Sequence, residues 1–449
     1  MKSQNNYIKW GKYILLLLFV SLIAIGCKDG GITNPGNNPP AGENNMLEII
    51  QSNSNLTILA ELLEGTSLTN TLSGSGKVTF FAPTNAAFSN LPDEYLEGLT
   101  SQQKLDLLKY HIYSGTYPVI NEIKKEVINS LHGDPIFMEI GQSFGNLINN
   151  QAKFGSTNIE ASNGLIHLID AVLIPDQQGT LADNIKKRYD YRKFYEKLDA
   201  AGLIERLEAP GMTIVLPEND MGIDYIQNDA GLSLTDENWT EIMKYHLLEV
   251  DFTVYGPGTK TALVTLSGDS VYLQIESPGQ FLVNNSVDGN PISVVNATNG
   301  KIVFPSGVLL PDKFLGILTI MDKRFTMQTA RSALAVAKMT GRLYNTDNNA
   351  DEMFTIFIPH DNAEGLNGLP ADENELANVM KYHVLLEKVT ADALQHNQTY
   401  TTWQGETLTI TKNGDEIIVN GSATVKQADL IGRNGVVHII NGVLTPPSD

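Results

Sequence analysis

A chain of 449 residues with 51 acidic against 31 basic side chains carries a formal charge of −20. That balance excludes a phosphate-tracking partner, because no basic cluster interleaved with aromatics occurs and an acidic surface is repelled by nucleic acid and anionic headgroups. The single cysteine, Cys27, excludes a disulfide framework, so folded parts must be stable through core burial alone.

Read in chain order, Lys2, Lys9 and Lys12 precede the apolar run 13–25, which meets Gly26-Cys27. The run is too short for a membrane span and reads as a signal peptide over 1–26. A cysteine after a small residue in this place resembles the acylation site of a bacterial lipoprotein, which makes Cys27 the expected lipid attachment. Residues 27–45 are polar and rich in Gly and Pro; with no apolar face to bury they are expected to form a disordered tether. Lys28-Asp29 resembles part of the surface-export signal of Bacteroidetes lipoproteins, so the expected location is the outer membrane, lipid-anchored and facing the exterior. Removing Lys2, Lys9 and Lys12 takes the formal charge from −20 to −23.

Beyond the tether one string returns three times: Lys109-Tyr110-His111, Lys244-Tyr245-His246 and Lys381-Tyr382-His383. Asn163-Gly164, Asn299-Gly300 and Asn434-Gly435 travel with it, as do the closing prolines Pro175, Pro311 and Pro446. The period far exceeds the roughly 20–50 residues of solenoid repeats, so each copy should have its own core. The expected domains are 46–176, 180–312 and 314–446, the second divergent.

Each copy opens with helical material such as 46–63 and then gives an apolar run ending in proline, at 78–83, 212–217 and 354–359. Such a run reads as a strand buried on both faces and stopped by the proline. Asn85, Asn219 and Asp361 follow and suit the N-cap of the next helix. A striped helix then leads into each Tyr-His, so that His111, His246 and His383 continue its buried face. Lys109, Lys244 and Lys381 stand at its end, where the helix dipole favours a cation. The last third is β-rich, with a hairpin expected over 408–412 and 416–419 around Asn413-Gly414 and its counterpart over 271–275 and 281–283. Asn149, Asn284 and Asn420 end this hairpin in the three copies, 15, 16 and 15 residues before Gly164, Gly300 and Gly435.

No nucleophile elbow, phosphate loop or H-E-x-x-H motif occurs, and five of the eight histidines repeat with the fold. The carboxylate pairs Asp93-Glu94, Asp236-Glu237 and Asp372-Glu373 stand at helix starts, where the dipole accounts for them. The expectation is a non-enzymatic protein with no catalytic residue, metal or cofactor. Trp403, approaching a strand, is the one tryptophan suited to stack on a sugar, since Trp239 lies on a helix stripe.

Together these residues resemble the fasciclin domain family. The first box is 79–88, Thr-Phe-Phe-Ala-Pro-Thr-Asn-Ala-Ala-Phe; the centre is Tyr110-His111; the second box is 163–175, Asn-Gly-Leu-Ile-His-Leu-Ile-Asp-Ala-Val-Leu-Ile-Pro. The resemblance covers about 46–446. It implies an α+β fold, three tandem domains, each a twisted β-sandwich or wedge with flanking helices. It also implies adhesion or ligand binding, toward a host, matrix or neighbouring-cell surface protein or glycan. In that family the Tyr-His region is linked to receptor contact, which makes Tyr110, His111, Tyr382 and His383 candidate binding residues, with the second-box His167 and His438. Copy two has Val303 in that place and is expected to act as a spacer. The alternative is an accessory lipoprotein of an outer-membrane glycan or nutrient-uptake complex, which an exposed aromatic platform would favour.

Overall fold

The computed structural model describes residues 42–447 apart from 120–123, 142–144, 218–219, 229–231, 233, 252–255, 278–279, 286–293, 305–307 and 345–350. The signal segment, Cys27 and most of the tether lie outside the described residues, as does Asn219.

In each copy the continuous apolar run becomes the middle of a sheet, where a strand covered on both faces hides every side chain. Val78–Pro83 is buried along its whole length and runs parallel to Gly164–Ile169, with Phe81 opposite His167. Ile112–Ser114 and Ile159–Ala161 flank this pair, both antiparallel. Copy two repeats the order with Leu247–Leu248, Met212–Val215, Gly300–Val303 and Val294–Asn296. In copy three Phe354–Glu364 lies beside Gly435–Gly442 in the same register, Phe357 opposite His438.

Strand alternation feeds two cores per copy. Phe80 and Ala82 face Ile50, Leu59 and Leu72 of the opening helices, whereas Phe81 faces Tyr110, Ile136, Met138 and Ile148. The same division separates Ile214 from Val215, and Ile356 and Ile358 from Phe357. Helices therefore cover one face of the central sheet and a second β layer covers the other. Each fully buried Phe or Ile contributes about 1.5–3 kcal/mol, so two such cores meet the requirement that a chain without disulfides sets. In copy one the second layer is a separate sheet of Lys124–Asn129, Pro135–Ile140, Leu147–Ile148 and Ala152–Lys153. In copy three the bulged strand Ala423–Gly432 joins the two layers into one seven-stranded sheet.

The Asn-Gly pairs have a steric origin. A Cβ on Gly164, Gly300 or Gly435 would collide with the carbonyl of Val78, Met212 or Phe354, the first residue of the neighbouring strand. The asparagine beside it clamps the copy shut. Asn163 accepts from the Met46 amide at 2.9 Å and donates to the Leu72 carbonyl at 2.7 Å. Asn299 does so with Leu181 and Leu207, and Asn434 with Ile317 and Leu343.

Three local expectations are corrected. The proline ends the strand only in copy one; Met212–Val215 stops before Pro217, and Phe354–Glu364 runs through Pro359. Phe357 donates to the His383 carbonyl, so Pro359, two residues on, faces the same side beyond the end of Val384–Leu385, where no donor is needed. Asn85 and Asp361 cap earlier helices rather than the following one. Asn85 accepts from the Ile58 amide, Asp361 from those of Gln328 and Thr329, and in copy two Asp220 does the same for Lys193 and Phe194. The helix Asn85–Ser89 is capped by Thr84. In the last hairpin Asn413 pairs with Glu416, so the two loop residues are Gly414 and Asp415, with Gly414 at φ 64°.

The copies meet through a repeated junction. Asp176, directly after the closing proline, is buried between Lys187 and Arg188 of the next copy, and its amide donates to Asp134 at 2.8 Å. Asp312 is held in the same way by Lys323 and Arg324, with its amide on Asp269 at 2.7 Å. The cations also cover aromatic rings: Lys187 lies over Tyr110 and Arg188 over Phe137, Lys323 over Tyr245 and Arg324 over Tyr272. Burial alone would raise the Asp176 carboxyl, and the Lys187 and Arg188 charges override it and hold the carboxyl below its usual range. Ion pairs this deep set a geometry more than they add stability.

Candidate functional site

Each Tyr-His pair stands at the end of a ten-residue helix, Ser101–Tyr110, Asp236–Tyr245 or Glu373–Tyr382, with the histidine as C-cap. The tyrosine then reaches into the second β layer. Tyr110 Oη donates to the Pro135 carbonyl at 2.8 Å and accepts from Asn149 Nδ2 at 3.0 Å. Tyr245 meets the Ser270 carbonyl and Asn284, and Tyr382 meets the Thr407 carbonyl and Asn420, in the same manner. Each asparagine adopts a left-handed conformation, with φ of 52°, 54° and 52°, and also accepts the amide of Phe137, Tyr272 or Thr409. The result is a clasp that ties the helix end to both arms of a hairpin. The sequence reading marked these asparagines without a role; their constant separation of 38 or 39 residues from the tyrosine was the available signal.

The histidine completes the clasp on the opposite side. His111 Nε2 accepts from the Leu173 amide at 2.9 Å, which requires the proton on Nδ1, where it is donated to the Leu107 carbonyl at 2.8 Å. His246 and His383 repeat this with Leu309 and Ile242, and with Leu444 and Val379. Burial pushes all three imidazoles down to about 4, against the upward pull of the carbonyl bond. They are therefore neutral at pH 7 with both nitrogens engaged, which leaves no lone pair for a metal or a general base.

In the second box, His167 Nε2 donates to the Tyr117 carbonyl at 2.8 Å, and Nδ1 accepts from the Asn158 amide at 3.1 Å. His438 does the same with Val389 and Asp429. Their rings stack on Phe81 and Phe357, with centroids 5.7 and 5.3 Å apart. None of Tyr110, His111, His167, Tyr382, His383 and His438 is more than 2 % exposed. The six candidates are thus gathered inside copies one and three, with their side chains buried.

Trp403 does not offer the open face expected of a sugar stacker. It packs partly buried against the helical core, and Arg342 and Lys381 lie over its ring at 4.7 and 5.8 Å. Trp239 is buried, as its helix stripe indicated. His132, a singleton in sequence, sits 3.2 Å from Asp134. Among the described residues no three His, Cys, Asp or Glu side chains converge to hold a metal ion, and no helix is long and apolar enough to cross a membrane.

Comparison with known proteins places this geometry. The fasciclin domain matches residues 54–175, 189–311 and 326–446, well over half of the chain. The transforming growth factor-beta-induced protein ig-h3 of Sus scrofa is 26% identical over 421 residues, covering 90% of this chain and 58% of that protein. Human periostin is 26% identical over 388 residues, covering 84% of this chain and 44% of that protein. Protein sll1483 of Synechocystis is 31% identical over 134 residues, covering 29% of this chain and 73% of that one. The chain thus spans about half the length of the first two relatives. Among solved structures, a FAS1 domain pair from the insect cell adhesion molecule fasciclin I gives a TM-score of 0.42 at 16% identity, covering 57% of this chain and 97% of that one.

Proposed function

Because the chain belongs to the fasciclin domain family, we propose that it is a non-enzymatic adhesion or ligand-binding protein. In this proposal it is anchored through a lipid on Cys27 and displayed at the outer surface of a bacterial outer membrane. The observation that carries the reading is the repetition itself: three family domains in series, coupled by buried ion pairs at both junctions rather than by loose linkers. Coupling of this kind presents fixed surfaces to a partner at low entropic cost. In this reading the clasp residues act by setting the shape of each domain, and the partner meets residues outside the clasp.

Two measurements test it. Beads carrying residues 42–447 are expected to adhere to an array of matrix proteins and cell-surface glycans, and to lose that adhesion when residues 314–446 are deleted. Failure to adhere to any surface, with the domains shown to be folded, would sink the adhesive reading. Independently, Cys27→Ala is expected to abolish incorporation of labelled palmitate, and persistent labelling would sink the anchor.

A further inference from the structure

The two junctions share their ion pairs and differ in what surrounds them. Between the first and second copies opens a cleft of about 230 Å³, far above the roughly 10–15 Å³ that a single water requires. Its wall includes Asn184, which is 0% exposed. Asn184 Nδ2 donates to the Asp176 carbonyl at 2.7 Å, which fixes the amide and leaves Oδ1 buried without a partner. Gln178 repeats the pattern: Nε2 donates to the Gln103 carbonyl at 2.9 Å and Oε1 is buried and unpartnered. Tyr95 Oη is the third such atom in the lining. Burial, reinforced by the Asp183 carboxylate, pushes its phenol up to about 12, so it remains a hydroxyl. Asp183 itself is exposed at the rim.

The scaffold does not need these polar groups. Residue 320 stands in copy three where 184 stands in copy two, an equivalence fixed by the Asp176 and Asp312 pairs and by the Leu181 and Ile317 amides on Asn299 and Asn434. At the second junction Ile320 replaces Asn184 and Phe314 replaces Gln178, both within apolar cores. The same junction thus forms with hydrocarbon at these positions. An unpaired buried acceptor is unfavourable, so its retention at the first junction calls for a donor that arrives from outside.

The chemistry of that donor follows from what is left open. Each amide NH₂ already donates once inside the protein, and the atoms left without a partner are two carbonyl oxygens and a phenol oxygen beside a carboxylate. A sugar hydroxyl brings lone pairs of its own besides its single donor, whereas an ammonium brings three donors and no acceptor to these oxygens. The cation already in the lining, Lys187, shares Asp176 with Arg188 and has the Asp134 carboxylate nearby as a second counter-charge. Glu208, 3.3 Å from the Thr180 hydroxyl that also bonds Asp183, adds negative charge near the rim. Leu91, Pro92 and Val172 supply an apolar wall for a hydrocarbon stem. We propose that this cleft binds a primary ammonium group on a short aliphatic stem, as carried by a lysine side chain of a partner protein or by a small alkylamine.

The proposal does not rest on the adhesive reading and can fail separately from it. Purified full-length protein is titrated with n-butylamine and with Nα-acetyl-lysine N-methylamide, followed by ligand-observed NMR, with n-butanol and a methyl glucoside alongside. Saturable binding of butylamine and not butanol is expected, weakened at least tenfold in Asn184→Ile, the residue of the second junction, and several-fold in Asp183→Asn at the exposed rim. Binding of the lysine derivative as well points to a protein partner; binding of butylamine alone points to a free amine. No saturable amine binding, preference for the glucoside, or amine binding unchanged in both variants overturns the proposal. Asp183→Asn keeps the cap on Thr180 available and serves if Asn184→Ile does not fold.

Discussion

At one place in the central sheet the flanking copies and the middle copy solve the same packing problem differently. Copies one and three set a phenylalanine against a histidine across the parallel pair, Phe81 on His167 and Phe357 on His438. Copy two sets Val215 opposite Val303 in the same register, within an apolar cluster of Leu263, Val271, Leu273 and Val283. Both members of the pair change together. The Tyr-His-Asn clasp and the Asn-Gly corner, by contrast, are the same in all three copies. The clasp and corner are therefore what the fold demands, and the aromatic-histidine stack is one of two ways to fill the space beside them.

The largest effect should come from the corner, where no copy departs from glycine. Gly435→Ala places a Cβ against the Phe354 carbonyl at φ 157°, so the two central strands of copy three must separate. A loss of at least about 4 kcal/mol is expected, read as urea unfolding of copy three ahead of the rest. A variant that unfolds like the parent would show that this contact relaxes freely.

Acid should act next, and on every copy. The clasp imidazoles titrate near 4 when folded against 6.5 for an exposed imidazole, so below about pH 6.5 the unfolded chain binds the extra protons. Stability is complete above that pH and falls as pH falls, by about 2 kcal/mol per clasp at pH 5 and about 3 kcal/mol by pH 4. His167 and His438 are also lowered, mainly by burial, and add to the loss in copies one and three. Hydrogen exchange followed copy by copy between pH 7 and 5 should show all three weakening and copy two weakening least. Equal loss in every copy would mean that the second-box histidines contribute nothing.

Much of this was legible in the sequence, for physical reasons that vary with the residue. Val78–Pro83 announces itself because a strand buried on both faces must be apolar throughout, and the helix ending at Tyr110 because its stripe and terminal lysine are local signals. Asn85 and Asp361 misled because an asparagine or aspartate before a helix is a local cap signal, whereas here the side chains reach back 27 to 33 residues to another helix. The junction was hidden for a related reason. Asp176 reads as a linker residue until Lys187 and Arg188 fold over it, and the available signal was not local but the return of the same spacing in Asp312 with Lys323 and Arg324. The burial of Tyr110, His111, Tyr382 and His383 follows from the clasp, whose bonds beyond the helix span 25 to 62 residues of chain, and that of His167 and His438 from bonds to the Tyr117 and Val389 carbonyls 50 and 49 residues away; contacts of this range leave no local pattern.

The smallest effect, and the one that bears most directly on the comparison, is the coupling within the Phe-His stack. If copy two shows an alternative packing unit, then replacing both Phe357 and His438 by valine should disturb copy three less than the two single changes summed. His438→Val alone leaves the Asp429 amide and the Val389 carbonyl without their partner, and Phe357→Val alone removes the ring on which the imidazole lies. Once either is gone, the other has lost part of its reason to be there, so its own removal costs less. A stacked aromatic pair is worth about 0.5–1.5 kcal/mol beyond its buried area, and the double-mutant cycle should return a coupling of that size. Urea unfolding of the parent, both single variants and the double variant measures it directly. Costs that add within about 0.3 kcal/mol would mean that the paired change in copy two is coincidence, and that His438 is held for its two backbone bonds alone.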